Sequence, residues 1–122
     1  VPVARSRSES FDEVASAAVA RLERRLGAEF DRVQFLVEDV PDPATIEEII
    51  PLGRATPGVG GQPARVVLYR RPIETRASGI LALRRLVLDV LVEQVAEALG
   101  LDPDDLDPDG RDPDGLGPGG RP

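Results

Sequence analysis

Glu93, Gln94 and Glu97 are the residues of this chain whose types and spacing come nearest to chemistry. They lie in its longest apolar run, ILALRRLVLDVLVEQVAEALG at residues 80–100, which reads as one helix stopping at Gly100. Leucine, valine and alanine cover most of its circumference, so most of it is expected to be buried. One stripe stays polar: Arg85, Asp89, Glu93 and Glu97, each four residues after the last, with Arg84 and Gln94 beside it. Carboxylates at that spacing share a helix face, about 5–6 Å apart at Cβ. With a further oxygen donor they can hold a hard cation such as magnesium, manganese or calcium, or zinc weakly. The same pair can instead be a solvated edge, since like charges so placed cost only about 0.2–0.5 kcal/mol. A polar cleft that binds a partner is the third reading.

Nothing else offers catalytic machinery. The chain has no histidine and no cysteine, which excludes imidazole chemistry, disulfides and thiolate metal sites. Ser6, Ser8, Ser10, Ser16 and Ser78 therefore lack an activating histidine, and Tyr69 reads as a strand residue with its hydroxyl at the surface. All fifteen basic residues are arginine, and lysine, methionine and tryptophan are absent, a bias typical of a GC-rich genome.

The elements that must position the stripe follow from periodicity. Residues 1–9 form a short flexible lead, and Ser8 or Ser10 can cap a first helix, with Glu13 completing a capping box after Ser10. Phe11, Val14, Ala15, Ala18, Val19 and Leu22 recur at helical spacing, and Gly27 supplies a stop. Arg21, Arg24, Arg25 and Arg32 are interleaved with acids and read as a solvated face. Residues 32–38 alternate as a half-buried strand, and residues 64–70 form a second one. Between them, with proline at 41, 43, 51, 57 and 63, the chain is expected to be irregular apart from a helical turn at residues 45–50. The run Gly58-Val59-Gly60-Gly61 is no phosphate loop, because no lysine follows and the next element is a strand. A turn or short helix at residues 73–77 precedes the long helix, which Ser78 can cap.

Residues 102–122 are made almost wholly of Asp, Pro and Gly, and read as a disordered acidic tail. Seven Asp and two Arg give this segment a net charge of −5, leaving −2 of the total −7 for the body. Neither part has the basic, aromatic-studded surface that nucleic acid requires. Asp105, Asp107 and Asp109 before Gly110 imitate half of a calcium loop, but Leu116 stands where its bidentate glutamate belongs. Without a long uninterrupted apolar run or a signal-peptide pattern, a cytoplasmic protein with no membrane contact is expected.

Over about residues 9–104 the chain resembles the minimal zincin-like metallopeptidases. Phe11-Asp12-Glu13 opening a helix, Phe35-Leu36-Val37-Glu38-Asp39 in a strand and Val67-Leu68-Tyr69-Arg70-Arg71-Pro72-Ile73-Glu74 before the long helix carry the likeness. Glu93-Gln94-Val95-Ala96-Glu97-Ala98-Leu99-Gly100 sits where that family has H-E-x-x-H, a short apolar stretch and glycine. The resemblance implies an α+β fold over residues 10–101: an N-terminal helix, a small sheet and the long motif helix packed across it. It also implies that Glu93 and Glu97 stand at zinc-histidine positions, Gln94 at the general-base position, and Asp102 or Asp104 near the third ligand. A carboxamide takes up no proton at ordinary pH, so general-base catalysis at Gln94 is not expected. The implied function is a metallopeptidase homologue with a degenerate motif, a pseudoenzyme with its metal positions vacant, no cofactor, and a cleft for a peptide or protein partner. A hydrolase with a carboxylate-bound divalent cation and a purely structural subunit are the alternatives.

Overall fold

Phe11, Val14, Ala15, Ala18 and Leu22 form the buried face of α1, Arg7–Leu26, with Leu26 extending it by one more turn. The computed structural model describes residues 7–43 and 49–107, with side chains from Glu9 onward. Helix α1 already includes Arg7, so Ser8 and Ser10 lie inside it instead of capping it, and residues 1–6 of the expected lead lie outside the described residues. No residue between Arg7 and Phe11 breaks a helix, and elongating an existing helix is easy once its nucleus has formed. Gly27, at φ 58°, ends α1 and opens a 3-10 turn, Gly27–Arg32.

Three strands follow: β1, Val33–Glu38; β2, Gly53–Thr56; and β3, Ala64–Tyr69. Their order is β1-β3-β2, with β1 parallel and β2 antiparallel to β3. The register sets Val33 beside Ala64 and Glu38 beside Tyr69, and Gly53 beside Leu68. Strand β3 is central, so Ala64, Val66 and Leu68 are buried, as is Tyr69, which was expected to reach the surface. Strand β2 was not expected at all. Gly-Arg-Ala-Thr has neither alternation nor β-branched bulk, and it is a strand because β3 pairs with it.

Helix α2, Arg70–Arg76, starts directly at the end of β3 and tolerates Pro72 in its first turn. Arg70 ties it to β1, donating from Nε to Asp39 Oδ1 and from Nη1 to Glu74 Oε1, both at 3.0 Å. The hydrogen bond to Asp39, then the charge of Glu74, raise the Arg70 pKa against the opposing effect of burial. The Arg71 amide also donates to the Asp39 carbonyl, at 3.0 Å.

Helix α3, Ile80–Leu99, packs on β2, β3 and α1. Its buried residues are Val87, Leu88, Val90, Leu91, Val92, Val95 and Ala96, so the core lies under the C-terminal two thirds of the helix. Fully burying a side chain such as Leu91 contributes about 1.5–3 kcal/mol. The expected burial does not extend to the first turn, where Ile80 and Leu81 are exposed. Ser78 does not cap the helix; Gly79 does, at φ 87° and with no side-chain bond. At the other end Gly100 turns left-handed at φ 71°, and the amides of Gly100 and Leu101 both donate to the Ala96 carbonyl.

The first residues of the expected tail, 102–107, are structured, and the rest of it, residues 108–122, lies outside the described residues. Pro103–Leu106 forms a short helix, α4, with Asp102 accepting at its N-cap from the Asp104 amide at 2.9 Å. Leu106 joins the main core, and Asp107 is buried against Arg21 of α1, with Nη2 to Oδ1 at 2.6 Å. One apolar side chain and one ion pair thus fasten a segment whose composition reads as tail. Asp107 is thereby taken out of the calcium-loop pattern, and Arg21 is not merely a solvated face. Asp109, Leu116 and the helical turn expected from residue 45 fall largely or wholly outside the described residues. Among the described residues, no helix is long and apolar enough to cross a membrane.

Candidate functional site

The polar stripe of α3 is present. Arg85, Glu93 and Glu97 are exposed, Asp89 is half-buried, and Arg85 Nε lies 3.6 Å from Asp89 Oδ2. Gln94 is also half-buried, because it turns from the stripe toward β2. A Cβ placed on Gly53 would lie 3.2 Å from Gln94 Cγ and 2.9 Å from both Val90 Cγ1 and the Val67 carbonyl oxygen. Glycine at 53 is what lets β2 pass this close under α3. Sequence reasoning missed Gly53, and the available signal was an isolated glycine beside Pro51 in a stretch read as loop.

Strand β2 is an edge of the sheet, and each end of it opens into a groove. Before it, Pro51 and Leu52 line a space of about 700 Å³ with Pro41, Arg71 and Pro72. After it, Pro57 and Gly58 line one of about 440 Å³ with Ala98 and Leu99, next to Glu97 on α3. The arrangement is a short edge strand, a helix carrying Glu93, Gln94 and Glu97 across it, and open space at both ends.

The aspartates expected to complement the stripe do something else. Asp102 caps α4, and Asp104 stands in the first turn of that helix. Among the described residues no three of His, Cys, Asp and Glu come together as a group that could hold a metal ion. The structure therefore sets Glu93 and Glu97 one turn apart on one helix and does not bring Asp102 or Asp104 in as a third donor.

The sequence pattern of the zincin-like metallopeptidases matches residues 30–111, about two thirds of the 122. The match runs from the 3-10 turn through the sheet and α3 to beyond α4. The chain belongs to the zincin-like metallopeptidase family. No curated protein matches it.

Family membership implies a zinc ion, and the donors can be tested against one. A catalytic zinc takes three protein ligands and keeps its fourth position for water. Among its described residues this zincin-like chain presents two carboxylates and gathers no third donor, and the sequence has no imidazole anywhere. The residues do not fit the metal. Gln94, expected from the resemblance at the general-base position, offers an amide oxygen and two N–H donors. What this side chain can do is accept and donate hydrogen bonds beside β2.

Proposed function

We propose that this zincin-like protein is a binding module for an extended peptide segment, having lost zinc-dependent hydrolysis. The observation that supports it is the placement of Gln94 over Gly53. The helix still lies across an edge strand, as in a peptidase that holds substrate along a sheet edge, while the group that would do the chemistry has become a carboxamide. An added strand along β2 gains backbone hydrogen bonds without any metal. Four residues of β2 give about 13 Å of pairing edge. The grooves at its two ends offer room for the flanking side chains of the peptide. Gln94 is the polar side chain set above the strand, with Glu93 and Glu97 exposed beside it on the same helix.

The test joins calorimetry with amide-shift mapping. Zinc, manganese and calcium should each bind no better than to an ordinary acidic surface, and no peptide should be cleaved. A binding peptide from an extended-sequence library should shift the amides of residues 53–56 and 93–97. Submicromolar metal affinity removed by Glu97→Ala would favour the carboxylate-metal hydrolase instead. A chain that neither binds metal nor gives peptide shifts is a structural subunit.

A further inference from the structure

A second face of the molecule lies apart from the strand edge, between α1 and the N-terminal half of α3. Val14, Ala17 and Ala18 of α1 and Leu88 of α3 line a groove there of about 870 Å³, and Ile80 stands in its wall. The first turn of α3 projects beside it, leaving Ile80 46% and Leu81 73% exposed. The groove also has charge of both signs. Asp12, Glu13 and Arg21 come to it from α1 and Arg84 from α3, and Asp12 and Arg84 are both exposed. Neither makes an ion pair among the described residues: Arg85 is the arginine that pairs with Asp89, and Arg21 the one that pairs with Asp107.

We propose that this groove is where a second copy of the chain docks, the same face meeting itself about a two-fold axis. A two-fold contact requires a self-complementary patch, in which residue i meets j and j meets i. The exposed Asp12 on α1 and the exposed Arg84 on α3 can each meet the other across such an axis, while α1's other charges at the groove, Glu13 and Arg21, are of opposite sign. Asp12 of each copy faces Arg84 of the other, giving two equivalent ion pairs, while the Leu81 side chains cover the alanine floor. A partner of uniform charge is disfavoured, because it would be repelled by Asp12 or by Arg84. The small side chains of Ala17 and Ala18 allow a partner helix to approach closely, and Leu81 is a large apolar group that the monomer leaves in water.

Sedimentation of the full chain over a concentration range from about 1 μM to a few hundred μM reads this directly. The expected species at the upper end has twice the mass of the 13.1 kDa chain. Leu81→Asp should raise the dissociation constant at least about tenfold, and Asp12→Arg and Arg84→Asp should each do the same. The Asp12→Arg/Arg84→Asp double variant restores both pairs with their signs exchanged, and should return to within about threefold of the parent. All three positions are exposed, and unchanged circular dichroism confirms that each variant is folded. A chain monomeric at every concentration overturns the proposal. So does a dimer indifferent to Leu81→Asp, or a double variant no tighter than the single ones.

Discussion

Arg21 and Asp107 are 86 positions apart in the chain and 2.6 Å apart in space, and their contact fastens the C-terminal segment to the first helix. The pair is unequal, with the Arg21 side chain 46% exposed and that of Asp107 only 2%. Asp107 Oδ2 is buried with no hydrogen-bond partner among the described residues. Removing the arginine leaves a buried carboxylate without its cation, which is worse than never having built the pair. Arg21→Ala should cost about 2–3 kcal/mol, and Asp107→Asn, which removes the charge and keeps the shape, about 1 kcal/mol. Urea unfolding of the two variants gives the order.

Stopping the chain at different points should separate composition from packing. A chain ending at Leu101 loses Leu106 from the core and should be less stable by about 2–3 kcal/mol from that side chain alone. Ending at Asp107 keeps Leu106 and the ion pair, so its melting temperature should match the full chain within a degree or so. A drop of several degrees in the longer version would mean that residues beyond 107 pack on the body.

Gly53→Ala should destabilise the protein although alanine ordinarily favours order. The new Cβ would lie 2.9 Å from the Val67 carbonyl oxygen, a backbone atom that cannot swing aside. An overpacking cost of about 1–3 kcal/mol is expected, with α3 displaced from β2. Thermal melting measures the cost. The amide shifts of Val90 and Gln94 should move more than those of α1.

Restoring imidazole tests whether the helix still presents a metal-binding face. Glu93→His, Gln94→Glu and Glu97→His together should bind zinc modestly, because Asp102 is engaged in capping α4 and brings no third ligand. At a free zinc concentration one hundred times the dissociation constant, the stabilisation should be about 2.7 kcal/mol. The rise in melting temperature should vanish with a chelator and be absent in the parent. A folded triple variant with no rise at all would show that positions 93 and 97 cannot share a metal.

The Arg70 clamp should not respond to pH in the ordinary range. Its pKa is raised on folding, chiefly by the hydrogen bond to Asp39. A raised folded pKa stabilises at all pH below the unfolded value, and the gain is lost only as pH climbs through the folded one, far into alkali for arginine. Arg70→Lys, which cannot make the same fork to Asp39 and Glu74, should cost about 1 kcal/mol, and equally at pH 6 and pH 9.

Local pattern made much of this molecule readable. Phe11 to Leu22 repeat at helical spacing, residues 64–69 are a β-rich run, and an unbroken apolar stretch ends at Gly100. In each the signal lies in neighbours along the chain, so α1, β3 and α3 were legible, as was the polar stripe at 85, 89, 93 and 97. The order of motifs likewise pointed to the zincin-like family.

What stayed hidden depends on partners distant in sequence. Strand β2 has no intrinsic preference for extension and exists because the backbone of β3 offers it hydrogen bonds. Gly53 matters because α3, forty residues on, presses Gln94 and Val90 against it. Tyr69 alternates like a surface residue and is buried because its strand is central. Asp102 and Asp107 belong by composition to a solvated acidic tail. A helix cap and an ion pair to Arg21 draw them onto the body instead. Sequence by itself determined the family, the two long helices and which residue types face the stripe. Only the tertiary structure decided that the stripe gathers no third donor among the described residues and that its helix lies across a sheet edge, because both are facts about distance between segments that periodicity does not encode.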